Sequence, residues 1–261
     1  MPEPKLIKWK SFDGRLISGF LYLPPGETKA PRAVIIDIHG GPEFQVRPDF
    51  RGVDNYFTLR LGIAMIYPNI RGSTGYGKAF SGLDNGIHRQ DAVKDIGALL
   101  GWIERQPQLD AKRVVVRGES YGGYVAFSVA ADYSPRIKGS IANIGPSNLV
   151  TFLEHTDISV RDQRRAEFGD ERDPKVREIL ERISPLHNAN RVTNPLLVIH
   201  GKGDPRVPYS QSDQMVAAVR KVGTQVWYLL SQNEGHGLSG DSGMYSLCAQ
   251  ALFVSKVLMD N

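Results

Sequence analysis

Arg113-Val-Val-Val-Arg117-Gly118-Glu119-Ser120-Tyr121-Gly122-Gly123-Tyr124-Val-Ala-Phe-Ser-Val-Ala-Ala131 reads as a strand, a sharp turn and a helix in immediate succession. The valine run suits a buried strand, and the small and apolar residues from Tyr124 suit a packed helix. Between them stands G-x-S-x-G, in the strand–turn–helix context that makes it a nucleophile elbow. Glycine is needed at 118 and 122 because strand and helix approach too closely for a Cβ. The turn strains the serine backbone and lifts the Ser120 hydroxyl clear of the sheet, at a helix N-terminus where developing negative charge is favoured.

Outward from this point, strands and helices alternate. Residues 33–38, 63–67, 137–144, 196–199 and 226–230 are near-continuous apolar runs, as expected of strands covered on both faces. Residues 16–23 read as an early antiparallel strand. Ala92, Val93, Ile96, Leu99, Leu100 and Ile103 recur at helical spacing, as do Met215, Val216, Val219 and Val222. The pattern predicts a single α/β domain over 1–261, a mostly parallel sheet with helices on both faces, whose ligands bind beyond the carboxyl ends of the strands. Residues 146–191 interrupt the rhythm. They are rich in charge, with Arg161-Asp-Gln-Arg-Arg165 and Asp170-Glu-Arg-Asp173. Two readings stand: a pair of solvated helices, or a cap over the site.

Serine needs a base to take its proton and the base needs an orienting acid. In the α/β-hydrolase fold the order is nucleophile, acid, histidine. His236, in Glu234-Gly-His-Gly237, lies late, after the run 226–230. Asp204 follows the run 196–199, in His200-Gly-Lys-Gly-Asp-Pro-Arg-Val207. Taken alone, Asp204 would read as an Asx turn or helix cap; in this order with Ser120 and His236 it reads as the acid. His88, His155 and His187 read as surface residues and His200 as a packed core histidine. Two N–H groups are expected to hold the oxyanion. One is that of Tyr121; because Pro42 has no N–H, the other belongs to Gly40 or Gly41 in His39-Gly-Gly-Pro42, with Gly41 favoured.

These motifs, together with Arg71-Gly-Ser-Thr-Gly-Tyr-Gly77, resemble the catalytic domain of the prolyl oligopeptidase family, closest to its acylaminoacyl-peptidase-like and dipeptidyl-peptidase-like branches. The resemblance implies the α/β-hydrolase fold, a Ser120–Asp204–His236 triad, an Arg206 that holds a substrate carbonyl and a Val207 near the acyl pocket. It also implies a structural role for the Arg71-Gly-Ser loop. Tyr121 stands where the prolyl-specific branch carries Asn, and Leu238 where many relatives carry an aromatic residue. Family peptidases carry a β-propeller before this domain. The chain opens almost at the hydrolase motifs, so a propeller-less enzyme is expected.

Phe44, Tyr121, Phe152 and Val207 are expected to shape an apolar pocket, with Arg206 as its polar anchor. Gly72-Ser-Thr-Gly-Tyr-Gly-Lys-Ala79 nearly reads as a P-loop, but Ala79 occupies the magnesium-binding position and no helix is evident there. No metal-ligand spacing occurs, so neither metal nor other cofactor is expected. With 41% hydrophobic and 23% charged residues and a net charge of +4, the chain has an ordinary globular composition and no basic aromatic-laced run for nucleic acid. No apolar stretch would span a bilayer. The start, Met1-Pro-Glu-Pro4, lacks a signal-peptide pattern, and the lone cysteine, Cys248, forms no intrachain disulfide, which points to the cytoplasm. Cys248 sits among helically spaced apolar residues and reads as a core thiol. The expected activity is that of a carboxylesterase on small acyl esters, because no propeller supplies remote binding energy for amide cleavage. The alternative is a peptidase of the family acting on short peptides. A non-catalytic binding module is disfavoured by the complete triad.

Overall fold

Among the described residues eight strands form one sheet, whose spatial order, numbered along the chain, is first, second, fourth, third, fifth, sixth, seventh, eighth. The structure, a computed structural model, describes residues 2–26 and 30–259. The strands are β1 (Pro4–Lys10), β2 (Leu16–Tyr22), β3 (Arg32–Ile38), β4 (Ala64–Asn69), β5 (Leu109–Glu119), β6 (Gly139–Asn143), β7 (Leu196–Gly201) and β8 (Val226–Ser231). β1 and β2 pair antiparallel, and β2 pairs antiparallel with β4; from β4 to β8 every pairing is parallel. The α/β fold expected from the sequence is thus the observed one.

The apolar runs are continuous because alternate residues serve two different cores. Val34, Ile36, Val114, Val116, Leu196 and Val198 turn to one face. Their neighbours Ile35, Val115, Leu197 and Ile199 turn to the other. The first face is covered by α3 (Arg89–Ile103), α4 (Tyr121–Asp132) and α8 (Ser210–Lys221), which contribute Ile96, Phe127 and Met215. The second is covered by α1 (Asn55–Leu59) and α9 (Gly240–Leu258), which contribute Phe57 and Phe253. Each such side chain, fully withdrawn from water, stabilises the fold by about 1.5–3 kcal/mol before entropy is counted.

Several expectations change. β1 was not evident in the sequence. Only Ile7 and Trp9 of Pro4-Lys-Leu-Ile-Lys-Trp-Lys10 are buried, and three lysines, with Pro4 and Leu6, occupy the exposed positions of this edge strand. A one-turn helix, α2 (Lys78–Ser81), begins where none was expected. Cys248 is exposed: Val254 and Leu258 set the buried stripe of α9, and Cys248 falls off it. Among the described residues no helix is long and apolar enough to cross a membrane.

β3 leads on to β4 on one side of it and β5 leads on to β6 on the other, so chain direction across the sheet reverses between β3 and β5. At such a switch point the loops leaving adjacent strands diverge and open a crevice. His39-Gly40-Gly41 leaves β3 there, and Ser120 leaves β5.

Candidate active site

Ser120 stands between β5 and α4 with φ 56° and ψ −116°, a strained conformation for a residue with a side chain. Its surroundings hold it there. The Ser120 N–H donates to the Asn143 carbonyl at 2.9 Å, and the Ser120 carbonyl accepts from the Tyr124 N–H at 3.1 Å. A Cβ on Gly118 would lie 2.1 Å from the Gly122 oxygen, and one on Gly122 would lie 2.0 Å from the Ile38 oxygen. Both contacts are with backbone, which cannot step aside, so glycine is required at each.

His236 is carried by the loop between β8 and α9. Its Nδ1 lies 2.7 Å from Asp204 Oδ2 and its Nε2 lies 3.1 Å from Ser120 Oγ. A carboxylate accepts only, so Nδ1 bears the proton and Nε2 faces the serine hydroxyl as an acceptor. Asp204, just beyond β7, uses its other oxygen for the turn: Oδ1 accepts from the N–H groups of Arg206 at 2.8 Å and Val207 at 3.0 Å. The Asx turn and the contact with histidine therefore coexist, one on each oxygen. His200, fully buried, places Nε2 at 2.9 Å from the Val207 carbonyl and 3.4 Å from Asp204 Oδ2, and Nδ1 at 2.7 Å from Ser212 Oγ. Burial alone would raise the Asp204 pKa, but hydrogen bonds from His200, His236 and the Val207 N–H hold the carboxyl well below the usual carboxylate range.

Gly41, at φ +123°, lies beside Ser120 in the cleft, which Tyr121, Phe152, Arg206 and Val207 also line. Gly40 packs closely on the elbow, since a Cβ there would meet the Glu119 oxygen at 3.2 Å and Ser120 Cβ at 3.4 Å. His39 braces this loop: Nε2 lies 2.9 Å from Ser73 Oγ, and Ser73 in turn donates to the Ile70 carbonyl at 2.6 Å. Burial pushes the His39 pKa down. Arg71, in the loop after β4 that carries Ser73, is buried, with Nη2 2.8 Å from Asp95 Oδ1 and Nη1 3.2 Å from Asp13 Oδ2. The near-P-loop is thus tied into the scaffold beside the cleft. Phe44 departs from expectation. It is 54% exposed, does not line the cleft and tilts against the His39 ring at 5.6 Å. Closeness in sequence to Gly41 does not carry it inward, because the loop turns at Pro42 and directs its side chain out.

Residues 146–191 form α5 (Leu149–His155), α6 (Ile158–Phe168), α7 (Pro174–Ile183) and a 3₁₀ turn. α5 supplies Phe152 to the cleft, and α6 supplies Arg164 and Phe168, neither of which the sequence singled out. The junction of α5 and α6 is pinned to the Asp204 loop, with Thr156 Oγ1 donating to the Arg206 carbonyl at 2.6 Å and the Asp157 N–H to the Pro205 carbonyl at 2.9 Å. Arg164 Nη1 reaches Glu167 Oε2 at 2.7 Å and the Gly41 carbonyl at 3.4 Å. Behind the cleft, the fully buried Arg89 bonds Asp84 and the Glu167 carbonyl. Its guanidinium lies 4.3 Å from the Phe168 ring centre and 5.2 Å from that of Tyr121, whose hydroxyl donates to Asp84 Oδ2 at 2.8 Å. One buried cation thereby joins the elbow to the end of α6.

A hydroxyl, a neutral imidazole and a carboxylate in a hydrogen-bonded row, at the mouth of a parallel sheet, are equipment for acyl transfer. Fold and constellation together define a serine hydrolase. The sequence model of the Prolyl oligopeptidase family matches residues 48–260, and the chain belongs to that family. It is 31% identical over 251 residues to dipeptidyl aminopeptidase BIII of Pseudoxanthomonas mexicana, an alignment covering 91% of this chain and 36% of the relative. Among solved structures, a puromycin hydrolase superposes with a TM-score of 0.91 at 27% identity, covering 98% of this chain and 39% of that one. The acylaminoacyl peptidase of Pyrococcus horikoshii superposes at 0.90 with 26% identity, covering 100% and 42%. The chain therefore spans little more than a third of the length of these relatives. The comparisons favour the peptidase alternative over the carboxylesterase reading.

Proposed function

We propose that this chain is the catalytic unit of a serine peptidase that cleaves short peptides or aminoacyl amides through an acyl-enzyme. Ser120 is the nucleophile, His236 the base that takes its proton and returns it to the leaving amine, and Asp204 the acid that fixes the imidazole. The N–H groups of Gly41 and Tyr121 hold the oxyanion. Phe152 and Val207 form the acyl pocket, and Arg206 holds a substrate carbonyl. The observation that carries the reading is the unbroken row Asp204 Oδ2 to His236 Nδ1 at 2.7 Å and His236 Nε2 to Ser120 Oγ at 3.1 Å. Family membership turns acyl transfer toward amides. The test compares kcat/KM on a p-nitroanilide and a p-nitrophenyl ester with the same aminoacyl group, beside cleavage of free short peptides. Anilide and peptide turnover that disappears in Ser120→Ala supports the peptidase. Ester turnover with neither amide cleaved refutes it.

A further inference from the structure

The cleft is one of two concavities built on the loops that carry Gly41, Ser120 and His236. Gly41, Ser120 and His236 face the cleft, while their chain neighbours Gly40, Glu119 and Gly237 line a separate cavity of about 470 Å³. Each of the three loops that make the site thus turns adjacent residues to opposite sides. Acyl transfer needs two such sides. The acyl group stays on the serine, and the leaving group departs where the imidazole can protonate it. With the acyl side occupied by Phe152, Arg206 and Val207, the cavity beyond Gly237 is where a leaving group would lie.

Its charges are not balanced. Asp37, Asp54 and Glu119 line it, with Arg117 as the basic residue among them. Arg117 is committed: Nη2 lies 2.7 Å from Asp37 Oδ2 and 2.8 Å from Asp54 Oδ2. Glu119 has no hydrogen-bond or ion-pair partner among the described residues. Its side chain stands exposed at the carboxyl end of β5. Asn143 Oδ1, on the same wall, is buried without a partner. Two acceptors on these walls, the Glu119 carboxylate and Asn143 Oδ1, are therefore unmatched among the described residues. Val53, Leu238 and Leu247 add apolar surface. An aliphatic stem ending in a cationic head suits both kinds of wall.

We propose that this cavity is the leaving-group subsite, and that it selects leaving groups bearing a positive charge on an alkyl stem, such as a lysyl or arginyl residue, with Glu119 as the counter-ion. The proposal rests on the acyl transfer proposed above. It does not depend on efficient proteolysis, because by microscopic reversibility the leaving-group side is also where an incoming amine attacks the acyl-enzyme.

The experiment uses that reversal. The acyl-enzyme is formed from an aminoacyl p-nitrophenyl ester, and lysinamide and norleucinamide, which differ by the ammonium group, compete to capture it at equal concentration. Mass spectrometry reads the ratio of the two products. The wild-type chain should favour the lysinamide adduct by about tenfold, the scale of one hydrogen bond to a charged group. Glu119→Gln, which breaks no internal hydrogen bond, should bring the ratio close to one, and any general loss of rate cancels in it. Equal capture by the wild type, capture of neither amine, or a preference that survives Glu119→Gln overturns the proposal. A chain that captures amines but cleaves no peptide refutes the peptidase reading and leaves the subsite supported. Should no acyl-enzyme form, calorimetric titration of the same two amides into the wild-type chain decides on the same ratio.

Discussion

Replacing Asp204 by asparagine tests the proposed mechanism at the point where geometry leaves least freedom. Oδ1 accepts two backbone N–H groups, from Arg206 and Val207. An asparagine must keep its carbonyl oxygen there, since an amide nitrogen facing two donors would forfeit both bonds. Its NH₂ then takes the place of Oδ2, against His236 Nδ1 at 2.7 Å and near His200 Nε2 at 3.4 Å. A donor now meets a donor. His236 relieves the conflict by moving its proton to Nε2, which turns an N–H toward Ser120 and removes the base. Rate loss from a wrong tautomer is about 10⁴-fold, or about 5.5 kcal/mol in the barrier. Stability should fall by a smaller amount, about 1.5–3 kcal/mol, for the lost charge-assisted bond. The assay is steady-state turnover of an aminoacyl p-nitrophenyl ester, with urea denaturation as the control on folding. A folded Asp204→Asn chain that keeps a tenth of wild-type turnover would refute the orienting role of Asp204.

Ser120→Ala should lower turnover by several orders of magnitude, leaving about 10³–10⁴ over water from binding and the oxyanion donors, and should abolish labelling by a fluorophosphonate probe; labelling that persists in the variant would reassign the nucleophile. Activity should fall as pH is lowered, because protonated His236 cannot accept the serine proton. Asp204 stays ionised throughout that range, since its carboxyl is held below the usual one, so the acid limb of kcat/KM should follow a single proton. The same depression makes a stability contribution that is complete above about pH 4 and lost only as pH falls through the lowered value, which acid-unfolding curves of wild type and Asp204→Asn would reveal as a difference. Gly122→Ala puts a methyl 2.0 Å from the Ile38 oxygen and should cost about 3 kcal/mol or more, read by urea denaturation. Arg206→Ala should raise KM for substrates that carry a second carbonyl and leave single-carbonyl acetate esters little changed.

What the sequence disclosed followed from constraints that act over short stretches of chain. Gly118 and Gly122 are fixed by contacts within the elbow and with the neighbouring strand, so their identity alone announced a turn with a serine at its tip. β3, β5 and β7 were legible because both of their faces are buried, whereas β1 offered the core only Ile7 and Trp9. What stayed hidden depends on partners far apart in the chain. Arg164 meets Gly41 across 123 residues, and Arg89 meets Glu167 across 78. No local pattern marks either arginine; in sequence each is one more charge on a helix. The failed readings have the same origin. Phe44 was placed by its neighbours in sequence and Cys248 by a helical stripe one position away, and neither gives the direction of a side chain. Residues 146–191 show what such hidden contacts do. Arg89 has Tyr121 and Phe168 as its two aromatic neighbours and bonds the Glu167 carbonyl, so the residue after the nucleophile and the last turn of α6 rest on one guanidinium. Because this cation is fully buried, displacing α6 would take away the Glu167 carbonyl and the Phe168 ring and leave it Asp84 and Tyr121, at the cost of a lost charge-assisted bond in a site that water does not reach. Hydrogen bonds from Thr156 and Asp157 to the Asp204 loop act in the same direction. Residues 146–191 are thus fastened to the loops that carry Ser120, Gly41 and Asp204, by one of their own charges at Arg164 and otherwise by a backbone carbonyl, a hydroxyl and a backbone N–H.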